Sequence, residues 1–206
     1  MLIVGLTGGI ATGKSVVTRR MEENGAFIID ADAIAHEVVK KGAPAWKEIV
    51  DTFGREYLLP DGEINRKAIG RIVFHDAMKK EELNRIVHPR VFEKISESLL
   101  DIIHNEKADD GVVILDVPLL YESGMDKDIS DIIVVYAPVQ QQLERLMARD
   151  DLTEIDAKAR INSQISIEEK KKWADILIDN SGDIKATIKQ ADRVFAMLKE
   201  KAAKTT

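Results

Sequence analysis

A glycine-rich segment near the N-terminus narrows the folds open to this chain. Residues 8–15 read Gly-Gly-Ile-Ala-Thr-Gly-Lys-Ser and match G-x-x-x-x-G-K-[ST] in full, between an apolar run at 2–6 and an amphipathic stretch at 15–23. Such glycines let the backbone curl, so that successive N–H groups point at phosphate oxygens beside a helix N-terminus. A glycine-rich turn with a chance Lys-Ser pair is the alternative, and the flanking strand and helix disfavour it. The segment predicts a nucleotide-phosphate site, in which Lys14 reaches the β- and γ-phosphates and the Ser15 hydroxyl ligates Mg²⁺.

Short apolar runs rich in β-branched residues recur along the chain. They are continuous rather than alternating, which is typical of strands covered on both faces. Amphipathic stretches separate them, and in residues 184–199 the residues Ile184, Ile188 and Phe195 recur at helical spacing. Strands that alternate with helices indicate a parallel sheet with right-handed crossovers, so we predict an α/β fold of the P-loop NTPase type. The runs are residues 2–6, 27–29, 112–115, 132–136 and 176–178.

One long interval, residues 34–107, interrupts this alternation. It contains no strong strand, and its helical periodicity is broken at 42–44, at 60–62 and at Pro89. We expect a helical insertion that binds the acceptor substrate, within a single domain spanning the whole chain. A second helical segment, rich in charge, is predicted to form a lid at residues 139–173. The nucleotide-binding core is expected to consist of residues 1–33, 108–138 and 174–206.

Composition and charge exclude several classes of function. A formal charge of −6 with 5% aromatic residues lacks the clustered positive charge of a nucleic-acid surface. The chain has no cysteine, which excludes disulfides, thiolate metal sites and a cysteine nucleophile, and its four histidines lack the spacing of zinc ligands. The apolar runs are too short for a signal peptide or a membrane span. We therefore expect a soluble, cytoplasmic protein that binds neither nucleic acid nor membrane; the sequence does not indicate its oligomeric state.

Two carboxylates, Asp30 and Asp32, follow the second predicted strand. Because side chains alternate along an extended chain, both point to one side at the carboxyl edge of the sheet, where α/β proteins bind ligands. A carboxylate there can accept the proton of an attacking hydroxyl or hold a metal ion. The alternative is an aspartate that only caps the helix starting near Ala33. We favour Asp32 as the functional group, with Asp30 as cap or support.

Two further motifs carry weaker signals. Residues 112–116 have the form of four apolar residues followed by Asp116, which is the Walker-B pattern in which the Asp meets Mg²⁺. Many strands end in Asp, so this signal alone is unspecific. His88-Pro89 is either a substrate contact or a turn that enters a helix at Val91, and the residues alone favour the turn.

Two arginines lie on the helix predicted at residues 139–149. Arg145 and Arg149 are spaced i, i+4 and share one helix face, and Arg160 lies beyond them. On a mobile segment they could close over a transferring phosphoryl group and neutralise its charge. Residues 139–172 hold seven basic and seven acidic residues, so a solvated helix face laced with salt bridges is an equally good interpretation.

Motifs beyond the phosphate loop occur in order along nearly the whole chain. They are GLTGGI at 5–10 with GKS at 13–15, DAD at 30–32, HP at 88–89, VPLLYE at 117–122, RD at 149–150, ARI at 159–161 with Gln164, and IDN at 178–180 with Gly182. A phosphate loop alone is unspecific, whereas this ordered set at these intervals is specific. Together the motifs resemble the dephospho-CoA kinase family.

The resemblance implies transfer of the ATP γ-phosphoryl group to the ribose 3′-hydroxyl of dephospho-CoA, the last step of coenzyme A synthesis. By the match, Asp32 is the base that orients or deprotonates this hydroxyl, and Lys14 and Arg145 act on the transferring group. Ser15 and Asp32 are the implied ligands of Mg²⁺.

The resemblance also implies two sets of binding residues and raises the standing of His88, which falls in the helical region that receives the acceptor. Asn180 falls near where the family approaches adenine. The implied acceptor contacts are Thr7, Asp32, His88 and Leu119. The implied nucleotide contacts are Gly8, Gly9, Ala11, Thr12, Gly13, Lys14, Ser15, Val16, Arg149 and Asn180.

The phosphate loop departs from the family pattern in three places. Ala11 and Thr12 stand where the family usually has Gly-Ser, and Val16 stands where it usually has Thr. Ala11 and Thr12 keep their backbone N–H donors, so we expect phosphate binding to survive, although Ala11 narrows the allowed φ. Val16 removes a hydroxyl near the α-phosphate, which is expected to weaken ATP affinity modestly. The role of Asp116 stays open, because the family does not always have an acid there.

Two other functions remain to be weighed. Another small-molecule kinase, such as a nucleoside monophosphate kinase, would share the phosphate loop and the lid. A nucleotide-dependent switch of the GTPase type is disfavoured, because the chain has no Asn-Lys-x-Asp motif. Its Asp-x-x-Gly matches at 51–54 and 179–182 stand in the wrong places for a switch segment.

Overall fold

The chain divides into two units at residues 31 and 102. A computed structural model describes residues 1–106 and 111–205. The first unit comprises Met1–Asp30 and Ile102–Thr206, and the second comprises Ala31–Asp101. In the described residues, no helix is both long and apolar enough to cross a membrane. The division into core, insertion and lid stays a prediction.

The first unit is built on a parallel sheet of the order β2-β3-β1-β4-β5. Its central strands are almost wholly buried, as their continuous apolar sequences predict. The predicted α/β fold is confirmed, and each of the five predicted runs forms a strand. The strands are β1 (Leu2–Gly8), β2 (Phe27–Asp30), β3 (Val112–Asp116), β4 (Ile132–Tyr136) and β5 (Ile176–Asp179).

Helices flank the strands in the first unit and make up most of the second. The core of the first unit joins inward side chains of the sheet to Val17 and Met21 and to Phe195 and Leu198, which lie on two of these helices. The α-helices in the described ranges are α1 (Lys14–Glu23), α2 (Ala31–Glu37), α3 (Pro44–Phe53), α4 (Arg66–His75), α5 (Ala77–Glu106), α6 (Leu120–Ser123), α7 (Val139–Asp150), α8 (Glu154–Asn162), α9 (Ile167–Trp173) and α10 (Ile184–Thr205).

The second unit has its own apolar core, formed around Ile49, Phe53, Ile64 and Ile69. These residues come from α3, from α4 and from the segment between them. Their side chains recur at helical spacing within each helix, so each helix buries one apolar face. The second unit thus has an interior separate from the sheet.

The turn predicted at His88-Pro89 is wrong, because both residues lie inside the 30-residue helix α5. Proline within a helix removes one backbone hydrogen bond and costs about 3 kcal/mol. After Pro89, Val91 and Ile95 are buried, and before it Ile86 and Val87 pack against the apolar core of the second unit, so the helix is packed on both sides of the interruption. Apolar burial therefore outweighs the local preference for a turn.

Candidate active site

The phosphate loop lies where the connections of the sheet diverge. It joins β1 to α1, and the neighbours of β1 are β3 on one side and β4 on the other. In open α/β sheets, ligands bind at the carboxyl ends of the strands at such a point. The topology therefore places residues 8–15 at the expected ligand-binding edge.

Two residues of the loop have left-handed backbone conformations. Gly13 has φ of 90° and precedes α1, and Ala11 has φ of 59°. A non-glycine residue in this region costs roughly 1–2 kcal/mol. Ala11 packs with Ile10 against an apolar cluster that includes Leu143 of α7 and Ala157 of α8. The alanine that departs from the family pattern is thus strained in its backbone and packed through its methyl group.

The side chain of Asn180 holds the phosphate loop in place through hydrogen bonds. Its Nδ2 donates to the Thr12 carbonyl at 2.7 Å, and its Oδ1 accepts from the Thr187 hydroxyl at 2.7 Å. A Cβ atom built on Gly13 would overlap Asn180 Nδ2, so only glycine fits there. Thr12 is itself buried, and its hydroxyl donates to the Gly9 carbonyl at 2.9 Å. The side-chain amide of Asn180 is therefore occupied in holding the loop.

Lys14 forms an ion pair with Asp116, the last residue of β3. The Thr18 hydroxyl donates to the other oxygen of this carboxylate at 2.8 Å, and Asp116 is buried. Hydrogen bonds between charged groups are shorter and stronger than neutral ones. The Walker-B position, whose role the sequence left open, therefore holds the loop lysine.

The loop borders a cavity of about 390 Å³ in the first unit. Residues from the loop, from α7 and from two other segments share its wall, which brings together most of the predicted nucleotide contacts. Thr7, Thr12, Val16, Leu119 and Asn180 are not among the lining residues. The lining consists of Gly8, Gly9, Ile10, Ala11, Gly13, Lys14, Ser15, Pro118, Arg145, Arg149 and Gln164.

Arg145 faces this cavity with one nitrogen unpaired. Its Nη2 donates to the Asn180 carbonyl at 2.9 Å and to Gln141 Oε1 at 3.1 Å. Its Nη1 is buried and has no hydrogen-bond partner among the residues that the structure describes. An unsatisfied buried donor on a charged group costs more than the 1–3 kcal/mol of a neutral one. A phosphate oxygen in the cavity would satisfy it.

Arg149 is bonded differently. Its Nε donates to Asp150 at 2.7 Å, and Arg160 donates to the other oxygen of the same carboxylate at 3.0 Å. The hydrogen bond from Arg149 lowers the pKa of Asp150, and the pKa of Arg149 is raised in turn. The salt-bridged helix face considered for these arginines is found at Arg149 and Arg160, whereas Arg145 has no carboxylate partner among its described contacts.

Three predicted contacts of the first unit lie near the loop without lining the cavity. Thr7 is buried, and its hydroxyl donates to the Pro118 carbonyl at 3.1 Å. Leu119 is exposed immediately before α6, and Val16 is partly buried in the first turn of α1. The Thr7 hydroxyl therefore supports a cavity wall, and its contact with the acceptor stays a prediction.

Asp32 and His88 belong to the second unit. Asp32 lies in the first turn of α2, two residues after Asp30, which ends β2 and is in register with Asp116. Partial burial lowers the pKa of His88 below its ordinary value, because burial disfavours the charged imidazolium. Their roles stay predictions.

Sequence reasoning missed a buried lysine next to the loop. Lys170 is fully buried and pairs with Glu122 at 2.7 Å. It stands in the charged run 168–172, which is typical of a solvated helix face. The available signal was its helical spacing from the buried Ile167, three residues earlier. In the same region, Gln164 accepts the Ile10 N–H at 2.9 Å.

No group of three or more His, Asp or Glu side chains is arranged to hold a metal ion within residues 1–106 and 111–205. Magnesium is usually held by one or two protein oxygens together with substrate phosphates. The Ser15 hydroxyl on the cavity wall and the carboxylate of Asp116 are oxygen donors of the required kind.

A parallel sheet, a complete G-x-x-x-x-G-K-S loop and a cationic cavity wall define a nucleotide-binding protein of the P-loop class. The model of the dephospho-CoA kinase family matches residues 2–186. The chain belongs to the dephospho-CoA kinase family. It is therefore a kinase of coenzyme A biosynthesis, and the nucleoside monophosphate kinase and switch alternatives are set aside.

Individual relatives agree with this assignment. The dephospho-CoA kinase of Syntrophus aciditrophicus is 45% identical over 201 residues, covering 98% of this chain and 85% of the relative. That of Bacillus licheniformis is 46% identical over 194 residues, covering 94% and 95%. The solved structure of dephospho-CoA kinase from Campylobacter jejuni is 33% identical, with a TM-score of 0.69, and covers 96% of this chain and 97% of that one.

Proposed function

We propose that this chain transfers the γ-phosphoryl group of ATP, bound with Mg²⁺, to the ribose 3′-hydroxyl of dephospho-CoA, giving CoA and ADP. Membership of the family supports the acceptor. The observation that carries the phosphate site is the cavity between the loop and Arg145, whose buried Nη1 lacks a partner among the described residues. A triphosphate supplies the acceptor oxygens that this wall requires.

The loop and Lys14 bind the β- and γ-phosphates in this proposal. Backbone N–H groups at the start of α1 point at anions, and the helix dipole favours negative charge there. Asn180 and Thr12 hold the loop in this conformation before ATP arrives. Donors that are already oriented stabilise the developing charge without reorganisation during the reaction.

Magnesium fits the oxygen donors that face the phosphates. We assign the Ser15 hydroxyl as its protein ligand, with Asp32 as the second candidate and Asp116 as the neighbouring carboxylate. When bound, Mg²⁺ would neutralise negative charge on the phosphates. The protein contributes the orientation of the hydroxyl, which the first turn of α1 fixes.

Asp32 is assigned as the base that orients the 3′-hydroxyl or accepts its proton. In the chain it lies two residues after Asp30, the last residue of β2, and α/β proteins bind ligands at the carboxyl ends of their strands. Proton transfer to a positioned carboxylate contributes about 10²–10⁴-fold to such reactions. The proton leaves the hydroxyl as the oxygen attacks phosphorus, so the carboxylate is needed in its ionised form.

Arg145 and Arg149 are assigned to the transferring and leaving phosphates. Asn180 and Gln141 hold Arg145 through its Nη2, which leaves its buried Nη1 for an anion. Arg149 must exchange its bond to Asp150 for a phosphate oxygen, so its contribution is expected to be smaller. The predicted lid, residues 139–173, would exclude water and so prevent hydrolysis of ATP.

The test is phosphate transfer followed by mass spectrometry. Purified protein and Mg-ATP are incubated separately with dephospho-CoA, AMP, CMP and pantetheine, and each acceptor is examined for the mass of one added phosphate. We expect only dephospho-CoA to gain it, with digestion placing the phosphate on the ribose 3′ position. Phosphorylation of another acceptor alone would overturn the proposed substrate and leave the kinase site in place.

A further inference from the structure

Lys170 is the largest fully buried side chain of the described residues. Removing an ammonium group from water costs several kcal/mol even after the protein has relaxed. Burial lowers the pKa of Lys170, and the hydrogen bond and charge of Glu122 oppose that shift. A buried lysine with a single carboxylate partner is weak evidence for stability, because an apolar pair of similar volume is often as stable.

The ammonium group joins three segments of the first unit. It donates to Glu122 Oε1 of α6 at 2.7 Å, to the Gly8 carbonyl at 3.2 Å and to the Pro118 carbonyl at 3.4 Å. Gly8 is the first residue of the phosphate loop, and Pro118 lies on the cavity wall. The Thr7 hydroxyl donates to the same Pro118 carbonyl. All three protons of Lys170 thus have acceptors, and two of these acceptors belong to the nucleotide site.

The bond to Gly8 fixes more than one atom. The peptide unit is planar and trans, so orienting the Gly8 carbonyl also orients the N–H of Gly9, which lines the cavity. A Cβ on Gly9 would lie 2.6 Å from Gln142 Oε1, so this part of the loop is closely packed on its other side. The direction of the first loop peptide therefore depends on the ammonium group.

Glu122 connects its ion pair with Lys170 to a second segment that binds the phosphate loop. Its Oε1 also accepts the Ile165 N–H at 3.0 Å, and the preceding residue, Gln164, accepts the Ile10 N–H. Its Oε2 is buried without a hydrogen-bond partner among the described residues. An ion pair that leaves one oxygen unsatisfied is poorly arranged for stability alone.

We infer that Lys170 is a positioning residue for phosphoryl transfer. Its ammonium group binds the Gly8 and Pro118 carbonyls, and it thereby fixes the first peptide of the phosphate loop relative to the cavity wall at Pro118. The inference rests on the proposed ATP site and concerns the nucleotide rather than the acceptor. In this role Lys170 acts through the backbone carbonyls of Gly8 and Pro118 and does not contact the reacting atoms.

The test compares Lys170→Met, Glu122→Gln and the double variant. Methionine keeps the unbranched shape of the side chain, is one atom shorter, and removes the charge. Misplacing a reacting group by about 1 Å can cost about 10²-fold, so we expect Lys170→Met to weaken Mg-ADP binding and lower kcat/KM for ATP by about tenfold or more. The KM for dephospho-CoA should stay within about twofold, because the inference concerns the loop alone.

The double variant separates positioning from stability. It removes both charges of the buried pair, so the midpoint of urea unfolding should recover toward that of the wild type. We expect ATP kinetics and Mg-ADP affinity to remain impaired, because the Gly8 and Pro118 carbonyls still lack their donor. Recovery of nucleotide affinity together with stability would overturn the inference. If Lys170→Met alone does not fold, the double variant still decides the question.

A matched control is Lys172→Met, two residues along the same run, where the lysine is exposed. Its nucleotide affinity and kinetics should equal those of the wild type. Mg-ADP binding needs no acceptor, so its outcome is independent of the proposed substrate. Should the wild type fail to phosphorylate dephospho-CoA while Lys170→Met still weakens Mg-ADP binding, the proposed acceptor is wrong and the positioning role stands.

Discussion

The two units use charge in opposite ways. In the first unit, charged groups around the phosphate loop are largely removed from water: the buried Asp116 pairs with Lys14, and the buried Lys170 pairs with Glu122. Arg145 adds a buried nitrogen without a described partner. Removing these groups from water is costly, and their pairing does not fully offset that cost.

In the second unit, the ion pairs that the structure shows lie on helix surfaces. Arg90 pairs with Glu48 and Glu93, and Lys94 pairs with Glu97, with every side chain at least about a third exposed. Exposed pairs of this kind contribute about 0–1 kcal/mol.

The interior of the second unit is mainly apolar. It includes a cavity of about 220 Å³ bordered mostly by aliphatic side chains such as Ile49, Ile69 and Leu83. Interior substitutions should therefore change catalysis in the first unit and stability in the second.

The largest expected effect is that of Lys14→Ala. Loss of one donor to developing charge lowers kcat by roughly 10²–10³-fold, and we expect at least this loss because the variant also leaves Asp116 buried without its cation. Steady-state kinetics with dephospho-CoA measure it, and circular dichroism checks the fold. Lys80→Ala, an exposed lysine of the second unit, should leave kcat unchanged. Near-normal turnover of Lys14→Ala would contradict the loop assignment.

Asp32→Asn tests whether chemistry extends into the second unit. The amide keeps the size of the side chain and cannot accept the hydroxyl proton, so kcat should fall by roughly 10²-fold. Asp30→Asn is the matched control and should lose far less, since Asp30 is assigned only to support. A change of Asp32→Asn confined to KM would reduce its role to binding.

The sequence predicted the parts of the site that the backbone dictates. A strand covered on both faces must be apolar throughout, and Gly13 must be glycine because its φ is positive and Asn180 fills the space beside it. Both requirements leave a local pattern. The five strands and the loop were therefore predictable from short windows of sequence.

Pairings between distant residues left no such pattern. Lys170 lies 48 residues after Glu122 in the chain and 162 after Gly8, so its burial depends on which segments the sheet brings together. The turn predicted at His88-Pro89 was wrong for a related reason, since packing along the long helix α5 outweighed the turn preference of this dipeptide. Local signals decide the elements, and tertiary packing decides which charges become buried.

Gly70→Ala should stabilise the second unit. A Cβ built on Gly70 of α4 meets no atom within 4 Å, and alanine is favoured over glycine within a helix by roughly 0.5–1 kcal/mol. We expect the free energy of unfolding in urea to rise by about this amount, with kcat and the KM for ATP unchanged. Gly70 borders the apolar cavity. A clear rise in the KM for dephospho-CoA would indicate that this cavity binds the acceptor. The second unit would then contribute to catalysis as well as to stability.

The smallest effect is expected from His88→Gln, measured as a change in the pH dependence of the free energy of unfolding. Burial lowers the folded-state pKa of His88, so as pH falls through about 6.5 the unfolded chain takes up this proton before the folded chain does. The wild type therefore loses stability between neutral pH and the lower folded-state pKa, and the loss stops below that value. Glutamine has no proton to gain, so unfolding free energies at about pH 7.5 and about pH 5.5 should differ less in the variant. An equal pH dependence in both proteins would mean that His88 is not the titrating group. A raised KM for dephospho-CoA in the variant would mean that a polar side chain of the second unit also contributes to acceptor binding.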